Sequence, residues 1–258
     1  MPVVSIVTPC YNSSLYISEA IESVISQKYK DWEMIIVDDA SSDKSIDLID
    51  YYIKLDPRIR LIKLQENSGA AVARNAAMKD AKGRYIAFLD SDDIWHSDKL
   101  DTQIAFMKEN NMAFSYSSYY KIDENGSVID EVGVPEKVTY TDLLKVCSIG
   151  CLTAMYDTKL VGRIDMPLIR KRQDLGLWLR VLKKTDYAYG ISEPLAKYRI
   201  RSDSISSNKI VAAKYTWRLY KEVECLPFLK AVFYFSHYAF NGILRTKFPK
   251  IARILGLL

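Results

Sequence analysis

Short unbroken apolar runs alternate with stretches of helical period along the first hundred residues. "VVSIVTP", "WEMIIVDD", "RIRLIKL" and "RYIAFLD" are apolar enough to be strands covered on both faces. Between them, "SSLYISEAIESVISQ" puts Ile17, Ile21, Val24 and Ile25 on one helical face, with serines available as caps. "SSDKSIDLIDYYIKL" predicts a second helix starting at a Ser/Asp cap, and "GAAVARNAAMKDA" a third. Strand–helix units of this length predict an α/β fold with a mostly parallel central sheet flanked by helices. The middle is less regular. "MAFSYSSYYKIDENGSVID" reads as a strand and a hairpin about Asn125-Gly126. "TDLLKVCSI" reads as a short helix, "CLTAMYDTKLV" as a strand and "AYGISEPLAKYRI" as an extended segment. "RQDLGLWLRVLKK" is a helix with Leu175, Leu177, Trp178, Val181 and Leu182 largely on one side.

In parallel sheets, ligands bind beyond the carboxyl ends of the strands. Those ends read Pro9-Cys10-Tyr11-Asn12, Asp38-Asp39, Asn67-Ser68-Gly69 and Asp90-Ser91-Asp92-Asp93. A solvated loop explains each one singly; four on one edge predict a pocket. Three carboxylates as close as Asp90, Asp92 and Asp93 repel unless a cation, hydrogen bonds or water offset them. A calcium-binding EF-hand loop is excluded, because Ile94 and Trp95 occupy positions that need a ligand and a glycine.

Composition narrows the picture. The 258 residues are 49% hydrophobic, enough for one large domain or a domain with an appendage. The net charge of +4 hides an asymmetry: from Lys209 onward there are nine Lys or Arg and two Glu, leaving 27 basic and 30 acidic residues before it. Nucleic-acid binding fits an acidic body poorly. The uncharged stretch from Ala231 to Leu244 is 14 residues, short of the roughly 20 that span a bilayer. It predicts either packing against the body or an interfacial helix drawn to anionic lipids. Cys10, Cys147, Cys151 and Cys225 lack metal-ligand spacing and are expected as buried, reduced thiols. The N-terminus shows no signal-peptide pattern, so a cytoplasmic location is expected.

"VSIVTPCYN", "IIVDDASSD", "NSGAAVARN", "FLDSDDIW" and "RQDLGLWLRVL", in that order, resemble a family 2 glycosyltransferase of the GT-A fold, of the bacterial surface-polysaccharide type. The likeness spans roughly residues 3–205. It implies a glycosyltransferase domain over 1–208, with 1–95 the nucleotide-binding half and 96–208 the acceptor half, and a basic amphipathic helical tail over 209–258. It also implies a UDP-sugar donor, with Pro9, Tyr11 and Asn12 lining the base. Asp39 would accept the uracil N3–H; the alternative is a helix N-terminal carboxylate serving the serines after it. Asn67, Gly69 and Arg74 would lie beside the nucleotide, Arg74 pairing with Asp90 or a phosphate; alternatively Arg74 is a surface arginine. "DSD" matches the DxD motif: Asp92 would hold Mg2+ or Mn2+ against the diphosphate, with Asp90 on the ribose or behind the metal ligand and Ser91 beside the nucleotide. Asp93 would cap the following turn.

In the same likeness Asp174 matches the general base, which takes the proton of an acceptor hydroxyl as that oxygen displaces UDP with inversion; alternatively it is a helix N-cap. Arg172, Gln173 and Trp178 would shape the acceptor site, unless Trp178 is core. Some relatives complete the metal site with a histidine where Arg201 stands here, so Arg201 is a candidate diphosphate contact. The implied acceptor is a lipid-linked oligosaccharide or polysaccharide, met at the inner face of the cell membrane. A sugar nucleotidyltransferase would want a glycine-rich loop after the first strand, and "TPCYNSS" has no glycine. A non-catalytic nucleotide-sugar-binding assembly factor would not need Asp174.

Overall fold

The computed structural model describes residues 2–201 and 209–247. Three strand–helix units and a fourth strand open the chain: β1 (Val4–Cys10), α1 (Ile17–Ile25), β2 (Trp32–Asp38), α2 (Ser45–Leu55), β3 (Ile59–Lys63), α3 (Ala70–Asp80) and β4 (Tyr85–Phe88). Then come β5 (Ile94–Trp95), α4 (Lys99–Glu109), β6 (Phe114–Ile122), β7 (Val128–Val132), β8 (Lys137–Val138) and α5 (Tyr140–Lys145). The rest is β9 (Met155–Asp157), α6 (Thr158–Val161), α7 (Gln173–Leu182), β10 (Ala188–Arg199), α8 (Lys209–Arg218) and α9 (Phe228–Lys247). The strands form one sheet in the order β3-β2-β1-β4-β9-β6-β10-β5, with β7 beside β6 and β8 beside β10. β3, β2, β1 and β4 are mutually parallel. Beyond β4 the sheet is mixed: β9 runs antiparallel to β4 and β6, and β10 parallel to β6.

Side chains alternate across this sheet as a two-residue period requires. Val7, Ile35 and Val37 enter one core, and Ile6, Met34 and Ile36 the other. Both faces are therefore apolar, which is why the strands read as unbroken hydrophobic runs. β1 pairs with β4 only as far as Val7, but with β2 as far as Cys10. Pro9 lies past the end of β4, where its missing N–H costs the sheet least.

Three local expectations need correction. No serine side chain caps α1; the Ser13 carbonyl instead accepts the N–H groups of Tyr16 and Ile17. The start of α2 is held by Asp43, whose Oδ1 accepts the backbone N–H and the hydroxyl of Ser45 at 2.9 and 2.6 Å. "CLTAMYDTKLV" is a strand only over β9, between a 3-10 turn at Cys151–Thr153 and α6. Asp157 ends that strand by accepting the N–H of Lys159 and pairing with Arg84. Of the cysteines, Cys10 is buried but Cys225 is exposed.

The C-terminal segments join the body: Leu219, Tyr220 and Ala231 are fully buried in the same core as Phe88 and Trp178. Tyr220 donates its hydroxyl to the carbonyl of Leu144. The expected division between body and tail at 208/209 has its body side, and the tail's last residues 248–258, outside the described residues.

Lys99 is fully buried at the start of α4. Its ammonium donates to Gln103 Oε1 at 2.5 Å and lies 4.3 Å from the Trp95 ring centre. Burial pushes its pKa down to about 7. An unfolded lysine keeps its proton to about pH 10. Between those limits the unfolded chain binds more protons, so unfolding free energy rises with pH, by at most about 1.4 kcal/mol per pH unit. The buried thiols Cys10 and Cys151 are pushed up by burial and act in the opposite sense at higher pH. We expect the urea midpoint to rise from about pH 7 to about 8.5, and to lose that rise in Lys99→Met.

Candidate active site

The turn after β4 is held by one arginine from the last strand. Arg199 is buried, and its Nε donates to the Asp92 carbonyl at 2.9 Å. Nη1 reaches the carbonyls of Asp123 and Glu124 at 3.3 and 3.0 Å, and Nη2 pairs with Glu19 at 2.8 Å. The guanidinium carbon stands 4.6 Å from the Tyr16 ring centre. The backbone N–H of Arg199 donates to Asp93 Oδ1 at 2.9 Å. Asp93, expected from its place in the sequence to cap the following turn, is instead a buried acceptor for β10. Burial, then Asp92 and Asp90, push the Asp93 carboxyl well above the usual carboxylate range.

Along the neighbouring strand ends, a second set of groups is ordered by backbone contacts. Asp39 is buried and accepts the N–H groups of Ser68 and Gly69 at 2.8 Å each, one per oxygen. Serving the following serines falls to Asp38, whose Oδ2 accepts the N–H of Ser41 at 3.0 Å. Gly69 has φ +90°, and a Cβ there would meet nothing within 4 Å, so the backbone borders open space. Asn12, at φ 46°, accepts the N–H of Ser42 at 2.8 Å, and Tyr11 beside it is half exposed. Ser91 is buried and shares a 2.7 Å hydrogen bond with Ser13. Asn67 is exposed.

A cavity of about 940 Å3 opens between the end of β4, the β6–β7 hairpin, residues 146–152 and the start of α7. Asp90, Arg172 and Asp174 line it together; Tyr11, Asn12, Asp39 and Gly69 do not. Arg74 is buried, not a surface arginine, and pairs with Asp90. Its Nε and Nη1 have no hydrogen-bond partner. Burial lowers the Arg74 pKa, but Asp90, by its charge and hydrogen bond, and then the charge of Asp174 more than restore it, so the guanidinium stays ionised. Asp174 is inside the first turn of α7, whose N-cap is Arg172, so it is not itself the cap. No donor among the described residues hydrogen-bonds its carboxylate, which leaves both oxygens open to the cavity. Gln173 Oε1 is buried and unpartnered beside it.

Trp178 is corrected: it is fully buried, with ring centres 5.3 Å from Phe88 and 5.2 Å from Phe114. It supports α7 from beneath. Arg199 and Tyr238, which bonds Arg172, were not legible as site residues. "AKYRI" shows two-residue alternation but not what its arginine meets, and Tyr238 sits in an aromatic-rich stretch where a hydroxyl carries no pattern.

The donor set suits a hard divalent cation that brings its own oxygens. Among the described residues no three His, Cys, Asp or Glu side chains form a metal cluster. Asp92 is a single half-buried carboxylate, pushed up by burial and by Asp90 and lowered by Arg201, 3.4 Å away. One carboxylate with phosphate oxygens and water is a common way to hold Mg2+ or Mn2+.

The profile of glycosyl transferase family 2 matches residues 5–154. The chain is 51% identical to Bacillus subtilis TuaG, named as a teichuronic acid biosynthesis glycosyltransferase, over 94% of this chain and 96% of that protein. It is 40% identical to Escherichia coli WfgD, named a UDP-Glc:alpha-D-GlcNAc-diphosphoundecaprenol beta-1,3-glucosyltransferase, over 95% of both. Among solved structures, residues 1–349 of S. aureus TarS in complex with UDP-GlcNAc superpose with a TM-score of 0.73 at 20% identity, covering 95% of this chain and 73% of that one.

Arg199 joins four segments, and removing its buried guanidinium breaks its bonds to the carbonyls of Asp92, Asp123 and Glu124 and its pair with Glu19. Arg199→Met should lower unfolding free energy by about 2–4 kcal/mol in urea titrations.

Proposed function

The chain belongs to glycosyl transferase family 2, and from that premise we propose that it moves a sugar from a UDP-sugar to a hydroxyl of a lipid-linked or polysaccharide acceptor in bacterial cell-surface polysaccharide biosynthesis. The observation that carries this reading is the cavity in which Asp90, at the end of β4, meets Asp174, at the start of α7. The names of TuaG and WfgD support the pathway class, and that of WfgD the donor and the lipid-linked acceptor.

In this reading the base lies over Pro9, Tyr11 and Asn12, and the uracil N3–H donates to Asp39. Each Asp39 oxygen already accepts one N–H and retains a second lone pair. Gly69 lets the nucleotide approach the backbone, with Asn67 and Ser91 alongside. Arg74 holds Asp90 in place at the end of β4. Asp92 would hold Mg2+ or Mn2+ against the diphosphate, where the cation would offset charge on the departing UDP. Arg201, beside Asp92, adds a fixed positive charge there. Asp174 accepts the proton of the acceptor hydroxyl, and that oxygen attacks the anomeric carbon opposite UDP, inverting it.

The acceptor's lipid gives a role to α9. Its inner face packs through Ala231, Tyr234, Phe235 and Tyr238. The other face exposes Leu229 (81%), Phe233 (52%) and Phe240 (60%). No helix among the described residues is long and apolar enough to cross a membrane. We place α9 flat on the inner surface of the cell membrane, with the basic residues of the C-terminal segment against anionic lipid.

Asp174→Asn keeps the size of the side chain and removes the basic oxygen. Turnover, followed as UDP release with the acceptor present, should fall about 10²–10⁴-fold. Donor affinity by calorimetry should change little, whereas Asp92→Ala should impair both, and EDTA should mimic it. Wild-type turnover in Asp174→Asn would remove the base assignment.

Because α8 and α9 complete the core, truncation is a poor test of membrane binding. The double variant Leu229→Gln, Phe233→Gln should stay folded and lose binding to anionic vesicles in flotation. Undiminished binding would exclude α9 as the contact.

A further inference from the structure

Arg172 is an arginine that the protein holds at a cost. Its backbone is left-handed, with φ 65°, a state that costs a non-glycine residue roughly 1 kcal/mol or more and lasts only where neighbours impose it. Its side chain lines the cavity two residues from Asp174, but makes no ion pair with any described residue. Nε is buried without a partner. Nη2 donates to the Tyr238 hydroxyl at 2.6 Å, and the guanidinium carbon lies 5.4 Å from the Tyr238 ring centre. The Tyr238 hydroxyl accepts from the guanidinium and orients it. An arginine stays charged at any working pH. The Asp174 carboxylate acts on this cation through space but does not pair with it, so a ligand that brings negative charge into the cavity is favoured there. The planar fork matches phosphate oxygens.

We infer that Arg172, held by Tyr238, is a phosphate subsite that takes the diphosphate joining an acceptor sugar to its lipid. The inference rests on the proposed reading of the cavity as the place where donor and acceptor meet. Three observations assign the phosphate to the acceptor. Arg172 adjoins Asp174, the base for the acceptor hydroxyl. In the proposed reading the donor diphosphate would have Asp92 with its cation, after β4, and Arg201 beside it. Tyr238 belongs to the helix whose opposite face is apolar and exposed, so one helix reaches both lipid and phosphate. Tyr238 is a positioning residue: it acts through Arg172 and touches no reacting atom.

The test compares two acceptors, a sugar joined to an alkyl chain through a diphosphate and the same sugar as a neutral alkyl glycoside. Tyr238→Phe keeps the ring and its packing and removes only the hydroxyl. It should raise KM for the diphosphate acceptor about fivefold to tenfold, the worth of one or so kcal/mol. KM for the neutral glycoside, kcat and UDP-sugar affinity should stay within about twofold of wild type, a change too small to count as a lost hydrogen bond. Arg172→Gln should abolish the preference for the diphosphate acceptor. An equal rise of KM for both acceptors would reduce the contact to a structural one and overturn the inference. A loss of UDP-sugar affinity would assign the phosphate to the donor and overturn it as well. Wild type that prefers neither acceptor would overturn the inference alone. Wild type that transfers to neither would overturn the proposed function and the inference with it.

Discussion

One guanidinium decides whether the acidic turn after β4 has a shape. Asp90, Asp92 and Asp93 would spread apart in water, and three negative charges at the end of a buried strand have no intrinsic reason to stay together. Arg199 answers this by holding backbone more than charge. It takes the Asp92 carbonyl, two carbonyls of the β6–β7 turn and the Glu19 carboxylate, while its own N–H occupies Asp93. Asp93 is thereby removed from the surface of the turn, and Asp90 is taken by Arg74. What remains at the surface of the turn is Asp92, its carbonyl held by Arg199 and its carboxylate beside Arg201.

The site follows a division of labour between backbone and side chain. At the ends of β1, β2 and β3, loops are ordered by backbone N–H groups donating to Asn12, Asp38 and Asp39, so their shape survives without a ligand. Around α7 the ordering is by cation. Arg74 and Arg172 bracket Asp174 electrostatically, and neither donates a hydrogen bond to it. A carboxylate unbound by donors keeps its lone pairs for an incoming proton, which the proposed general-base role needs.

Much of this was legible in the sequence, for a physical reason that also marks where legibility stops. β1, β2 and β4 are buried on both faces, so each appears as an uninterrupted apolar run, and the polar residues after them fall on one edge because the strands are parallel. β9 was misread in extent because a three-residue antiparallel strand leaves no period to detect. Trp178 resembled a site residue by its nearness to Asp174, but the helix turns it under the sheet onto Phe88 and Phe114. Lys99 could not be placed at all, since a lysine on a helix reads as solvent-facing until the neighbouring Gln103 and Trp95 are seen around it. Arg199 and Tyr238 act across about 107 and 66 positions of sequence; nothing within a local window carries such a contact.

The position of β10 in the sheet also orders the protein in time. Its partner β6 lies some seventy residues earlier, and Arg199 is its last residue. A chain emerging from the ribosome can pair β1 through β4 early, because all four strands lie within its first ninety residues and N-terminal units fold first. The acidic turn, however, acquires its clamp only when the end of β10 has emerged and threaded between β6 and β5. The nascent protein would hold the strands of its donor edge well before it could close the site, so synthesis itself keeps an incomplete chain from engaging substrate.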